Sequence, residues 1–158
     1  MTLGPCSHPT PIRPRSDVVR SLLRRAVDRC AVEGQRWTPA RKRVYELVLK
    51  AGAPVKAYDI MDLYQDGPAA KPPTVYRALE FLEQIGLVHR IASLNAYVAC
   101  HGEKEAHAAA FLICDCCGSA EEFEPGSVEA ATNAAAAHNL RLTRIALEVH
   151  GRCSRCVD

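Results

Sequence analysis

Four thiols carry the clearest chemistry in this 158-residue chain. Cys114-Asp-Cys-Cys117 and Cys153-Ser-Arg-Cys156 are two C-x-x-C pairs with 35 residues between them. Two residues between cysteines let both sulfurs reach one ion from a tight turn, and a second pair completes a tetrahedron. Four thiolates around zinc leave no open position and a net charge of −2, which is structural rather than catalytic chemistry. The rival readings are a dithiol redox motif or an adventitious pair, but two matched pairs favour zinc. Cys116 lies inside the first pair and is left out of the set, because Cys114 and Cys117 have the expected spacing.

A second group is less regular: His89, Cys100, His107 and Glu122. Singly, each has an ordinary alternative as a hydrogen-bonded histidine, a buried thiol or an exposed carboxylate. Two neutral imidazoles, one thiolate and one carboxylate would balance the charge of zinc, so such a site should bind more reversibly than four thiolates. Residues from the front of the chain and from the back both contribute, so an ion held there would fix the angle between two modules.

Charge and cysteine content support two modules. Residues 1–95 hold 15 Lys or Arg against 9 Asp or Glu, while residues 96–158 hold 5 against 9. Six of the eight cysteines fall at or after position 100. A basic front and an acidic, cysteine-rich back suggest separate tasks. No run approaches the ~20 apolar residues of a membrane span, and the start lacks the pattern of a signal peptide. A cytoplasmic protein with reduced thiols is expected.

The elements that must position these residues follow from periodicity. Residues 1–15 contain four prolines and no apolar period and are read as a disordered arm. A helix capped by Ser16 should bury Val19, Leu22, Leu23, Ala26, Val27 and Cys30. Thr38-Pro39 starts a second helix, a capping hydroxyl before a proline at the first helical position. A third spans about Ala57 to Tyr64, burying Ile60 and Leu63. A fourth opens at Thr74, with Val75, Ala78, Leu79, Leu82 and Ile85 inward. Residues 87–91 and 96–100 read as a hairpin. Helices followed by a hairpin make a winged helix-turn-helix, whose second helix enters the major groove of DNA. Further on, 109–114 and 120–124 read as strands, Ser127 as the cap of an alanine-rich helix to about His138, and 140–149 as a strand. The class is α+β: an N-terminal winged helix-turn-helix domain over 16–95, then a small α/β domain over 96–158.

The stretches TPARKRVYELV (38–48), AYDIMDLY (57–64), PPTVYRALEFLEQIGLVHR (72–90), YVAC (97–100), FLICDCCG (111–118) and HGRCSRC (150–156) resemble the ferric-uptake-regulator (Fur) family, and within it the zinc-sensing (Zur) branch. The resemblance implies a dimeric, zinc-loaded repressor that binds palindromic operator DNA and represses zinc-uptake genes. It implies two zinc ions per chain: a structural one on Cys114, Cys117, Cys153 and Cys156, and a regulatory one on His89, Cys100, His107 and Glu122. It further implies that Tyr58 and Arg77 read bases, that Tyr76 lies near phosphates, and that Thr74 at the start of the same helix contacts DNA.

Two departures bear on the metal. Iron and peroxide sensors of the family carry a histidine-rich run where Ala108, Ala109, Ala110 and Phe111 stand here, and the thiol of Cys100 favours zinc over iron(II). His101, Glu103 and Glu105 are near enough to substitute for a regulatory ligand. An enzymatic alternative rests on His101-Gly-Glu103 before a C-x-x-C, which is similar to the zinc deaminase signature. Ile113 replaces the proline of that signature, and the second C-x-x-C would close the coordination that catalysis needs open.

Overall fold

The computed structural model describes residues 14–64, 72–101 and 109–156. They divide into two compact units, one holding the described residues up to His101 and the other those from Ala109. The expected arm falls almost wholly in residues 1–13, outside the described residues.

The first unit runs α1 (Ser16–Val32), α2 (Pro39–Ala51), β1 (Val55–Lys56), α3 (Ala57–Leu63), α4 (Pro72–Gln84), β2 (Val88–Ile91) and β3 (Ala96–Ala99). The expected stripe of α1 is buried at Val19, Leu22, Ala26 and Cys30. Val27 departs from the expectation and is 45% exposed, being on the edge of the stripe. Ser16 does not cap this helix. Arg15 holds the extended capping conformation, and Ser16 is already helical. The cap of α2 is as expected, with the Thr38 hydroxyl accepting from the Arg41 N–H at 3.3 Å and Pro39 in the first turn. Gly52 then takes a left-handed conformation, φ 62°, and closes the helix.

α2 packs on α4 across the core of this unit, where Val44, Tyr45, Ile60, Val75, Leu79, Leu82, Leu87 and Val88 are almost wholly buried. The Arg41 guanidinium lies 3.3 Å from the centre of the Phe81 ring and reinforces that contact. Leu63 was expected inside but is 53% exposed at the last position of the short α3. α4 begins two residues before Thr74, at Pro72. Its two leading prolines cost no hydrogen bond there, because first-turn N–H groups have no helical acceptor. β2 and β3 form the expected antiparallel hairpin, with His89 opposite Val98. The two-residue β1, too short for any periodicity, adds to the outer side of β3.

The second unit contains β4 (Ala109–Cys114), β5 (Ala120–Phe123), α5 (Glu129–Ala137) and β6 (Ala146–Gly151). The sheet order is β5-β4-β6, antiparallel on one side and parallel on the other. Parallel neighbours need a crossover, and α5 lies in that connection. Val128 is the N-cap position of α5, although the Ser127 hydroxyl accepts from the Glu129 N–H at 3.2 Å. The last strand corrects the expectation of 140–149. β4 offers a ladder of six residues, from Ala109 opposite Ala146 to Cys114 opposite Gly151. Residues 140–145 have no partner strand among the described residues, and alternation alone does not make a strand.

Candidate metal centre and DNA-reading helix

The ladder between β4 and β6 places the four thiols. Cys114 ends β4 opposite Gly151, the end of β6, so the chain beyond Gly151 brings Cys153 alongside. The Cys153 N–H donates to the Cys114 Sγ at 3.3 Å. After β4 a tight turn closes through Gly118 N–H to the Cys114 carbonyl at 2.9 Å, with Gly118 at φ 69°. That left-handed position suits glycine and folds Cys117 back toward Cys114. A matching turn joins the Cys156 N–H to the Cys153 carbonyl at 2.8 Å.

The sulfurs of Cys114, Cys117, Cys153 and Cys156 all lie within 4.8 Å of one another. Cys117 and Cys153 are 3.9 Å apart and Cys153 and Cys156 3.3 Å. Zinc–sulfur bonds of ~2.3 Å in a tetrahedron require sulfur separations of about 3.8 Å, so the quartet is the size zinc needs. The electrostatics agree. Backbone N–H groups of Cys117 and Cys153 lower the Cys114 thiol to about 5. The Cys153 thiol is also lowered, chiefly by the hydrogen bond with Cys156. Cys156 moves the opposite way, raised by burial and then by the crowd of neighbouring thiols. Full ionisation of the quartet would call for a cation, and a dication bound by the four thiolates would supply that charge. Cys116 is not one of these four.

The second group is only partly described. His89 on β2 is half-buried, and Cys100, just after β3, is buried. The hairpin register sets them on adjacent arms of the hairpin, with ligand atoms within 4.8 Å of one another. The Cys100 N–H donates to the Leu87 carbonyl at 2.9 Å. Glu122 belongs to the other unit, on β5 opposite Phe111 of β4, and is half-buried. His107, Glu103 and Glu105 lie outside the described residues, and His101 is exposed.

α4 buries Val75, Ala78, Leu79, Phe81 and Leu82, which turns its other side to solvent. Tyr76 is 45% exposed, Arg77 is exposed and Thr74 is half-buried. On α3, Tyr58 is 73% exposed, an unusual state for a large aromatic ring. These are the side chains the sequence singled out for DNA, and packing has not consumed them.

Two supporting features were missed from sequence. Arg90, on the hairpin, is held by the Asn95 side-chain oxygen at 3.1 Å, with Asn95 left-handed at φ 47°. An asparagine in a short hairpin turn was the available signal. Near the thiols, the His150 Nδ1 meets an Asp115 carboxylate oxygen at 2.8 Å. That contact, with Glu148 nearby, raises the imidazole above its ordinary value. It joins the end of β6 to the turn after β4, a partnership invisible until the ladder register is known.

A sequence model of the ferric uptake regulator family matches residues 32–150. The zinc uptake regulation protein of Escherichia coli (strain K12) is 40% identical over 142 residues, spanning 88% of this chain and 83% of that protein. A solved zinc uptake regulator complexed with zinc and DNA is similar with a TM-score of 0.80 and 40% identity, over 87% of this chain and 94% of that one. The structure of holo XcZur gives a TM-score of 0.77 at 44% identity, over 86% and 96% of the two chains.

Proposed function

The chain belongs to the ferric uptake regulator family, and from that premise we propose that it is a zinc-responsive transcriptional repressor. It acts as a zinc-loaded homodimer that binds palindromic operator DNA in the cytoplasm and represses zinc-uptake genes. It is a regulator and not an enzyme. The observation that carries this reading is the likeness, over 87% of the chain, to a regulator whose structure holds both zinc and DNA. Among the described residues no helix is long and apolar enough to cross a membrane.

In this reading residues 16–95 form the DNA-binding domain and residues 96–158 the zinc-binding and dimerising domain, with 1–15 as an arm. Cys114, Cys117, Cys153 and Cys156 hold a structural zinc, which supplies the positive charge that four crowded thiolates require. His89, Cys100, His107 and Glu122 hold a regulatory zinc. Support for the second ion comes from the mutual approach of His89 and Cys100 and from the thiol, a donor that selects zinc over iron(II). α4 enters the major groove, where the Arg77 guanidinium pairs with guanine, Tyr58 contacts a second base, and Thr74 and Tyr76 lie toward the backbone.

Dimerisation has its own support in the second unit. Leu112 opposes Val149, and Ala110 opposes Leu147, so Leu112, Leu147 and Val149 lie on one sheet face. They are 47%, 43% and 42% exposed. An apolar patch of this kind, beside the edge strand β6, suits burial against a second copy.

Selection of binding sites from random duplexes tests the proposal. With zinc present, the purified protein should enrich an inverted repeat whose half-sites are about one helical turn apart. With a chelator strong enough to empty the regulatory site, no sequence should be enriched. Equal enrichment in both conditions would contradict zinc-responsive repression.

A further inference from the structure

Two arginines one turn apart on α1 grip carbonyl groups elsewhere in the first unit. Arg29 Nη1 donates to the Ile85 and Gly86 carbonyls, both at 3.0 Å. These oxygens follow the C-terminal end of α4, where the helix gathers partial negative charge. Arg25, four residues earlier, donates from Nη2 to the Cys100 carbonyl at 3.3 Å. Cys100 is thereby held on both sides of its α-carbon. Its N–H is fixed by the Leu87 carbonyl at 2.9 Å, and its C=O by Arg25.

The surroundings are more polar than packing alone requires. Arg25 Nε and the Tyr45 hydroxyl are buried and have no hydrogen-bond partner among the described residues. Tyr45, on α2, is fully buried, and burial pushes its phenol up to about 12 although the Arg25 and Arg29 charges pull the other way. A buried donor left unmatched is destabilising. Cys30, on the same helix, shows the ordinary alternative: a buried thiol that is simply one of the apolar core residues.

We propose that Arg25 is a positioning residue for the regulatory metal site, fixing the backbone of Cys100 from a helix that Arg29 anchors to the end of α4. The proposal rests on Cys100 being a regulatory ligand. It assigns Arg25 no contact with the metal. Its part is to hold the residue that provides the thiol, as groups outside the ligand set commonly do.

The test uses the full-length protein with its structural zinc in place and cobalt(II) added to the second site, where sulfur-to-cobalt charge transfer reports thiolate ligation. Arg25→Gln should weaken cobalt and zinc binding at that site by roughly 10–100-fold and diminish the charge-transfer band. The structural zinc content should stay at its parental value. Arg25→Lys, which restores a charged donor, should recover most of the affinity and most of the band. Parental binding in a folded Arg25→Gln overturns the positioning role, as does a lysine variant no better than glutamine; should Arg25→Gln fail to fold, a folded Arg25→Lys that binds cobalt roughly tenfold or more below the parent overturns it. Cys100→Ser separates the two readings. Loss of the band in Cys100→Ser with a parental Arg25→Gln contradicts only the role of Arg25, whereas a band that survives Cys100→Ser removes Cys100 from the site.

Discussion

At the residue scale the thiol quartet has the most definite consequences. Its sulfurs come from two turns at the ends of adjacent parallel strands, so removing one leaves three crowded thiols and a loosened turn. Cys153→Ser should release the structural zinc, measured as metal per chain after gel filtration, and lower the melting temperature of the protein. A variant that keeps its zinc and its melting temperature would contradict the assignment. The His150–Asp115 contact gives a prediction in pH. The imidazole is raised above its ordinary value of ~6.5 because the charged ring is favoured by Asp115. Its contribution to stability is present below the unfolded value and is lost as the pH rises through the folded one. Asp115→Asn should lower the His150 midpoint measured by NMR, and an unchanged midpoint would show that the carboxylate is not the cause. For Arg77, alanine should cost ~1–3 kcal/mol in discrimination between the operator and a site altered at the contacted base. Equal loss on both duplexes would make Arg77 a phosphate contact.

At the scale of elements, the reach of sequence reasoning depended on how local each signal was. The inward stripe of α4 and the Thr38-Pro39 start were legible because a few neighbouring residues determine them. The start of α4 was missed by two residues because prolines, which break a helix interior, are free of cost in its first turn. The span of β6 was not legible from its own residues, since the length of β4 decides where pairing begins. The same dependence hid the His150–Asp115 contact and the neighbourhood of Arg25 and Cys100. Both join residues far apart in sequence through registers and packing that periodicity does not encode. The pairing of the two C-x-x-C motifs, by contrast, was legible despite its separation, because thiol spacing carries its own geometric demand. The sheet face of β4 and β6 yields the prediction for this scale. Val149→Lys places a charge in the exposed apolar patch and should shift the protein from dimer toward monomer in analytical ultracentrifugation, with zinc content unchanged. A fully dimeric variant would move the interface elsewhere.

For the whole molecule, the proposed device is a difference in zinc affinity between states that bind operator well and badly. Shifting a two-state population from 1:99 to 99:1 takes ~5.5 kcal/mol of differential binding, whereas structural zinc sites supply ~10–16 kcal/mol in total. In this reading a regulatory ion that binds less tightly than a structural one can still switch the protein, provided about 5.5 kcal/mol of its binding differs between the two states. The structural ion is the steadier of the two and should already be present when the regulatory one arrives. The most direct measurement is operator binding by the purified dimer, followed by fluorescence anisotropy in zinc-buffered solutions, with parallel titrations of iron(II) and manganese(II). One zinc per chain should be present before the titration begins, and tight binding should appear only as free zinc rises. Operator binding that responds equally to iron(II), or that persists at full strength after the regulatory zinc is removed, would contradict zinc-responsive repression.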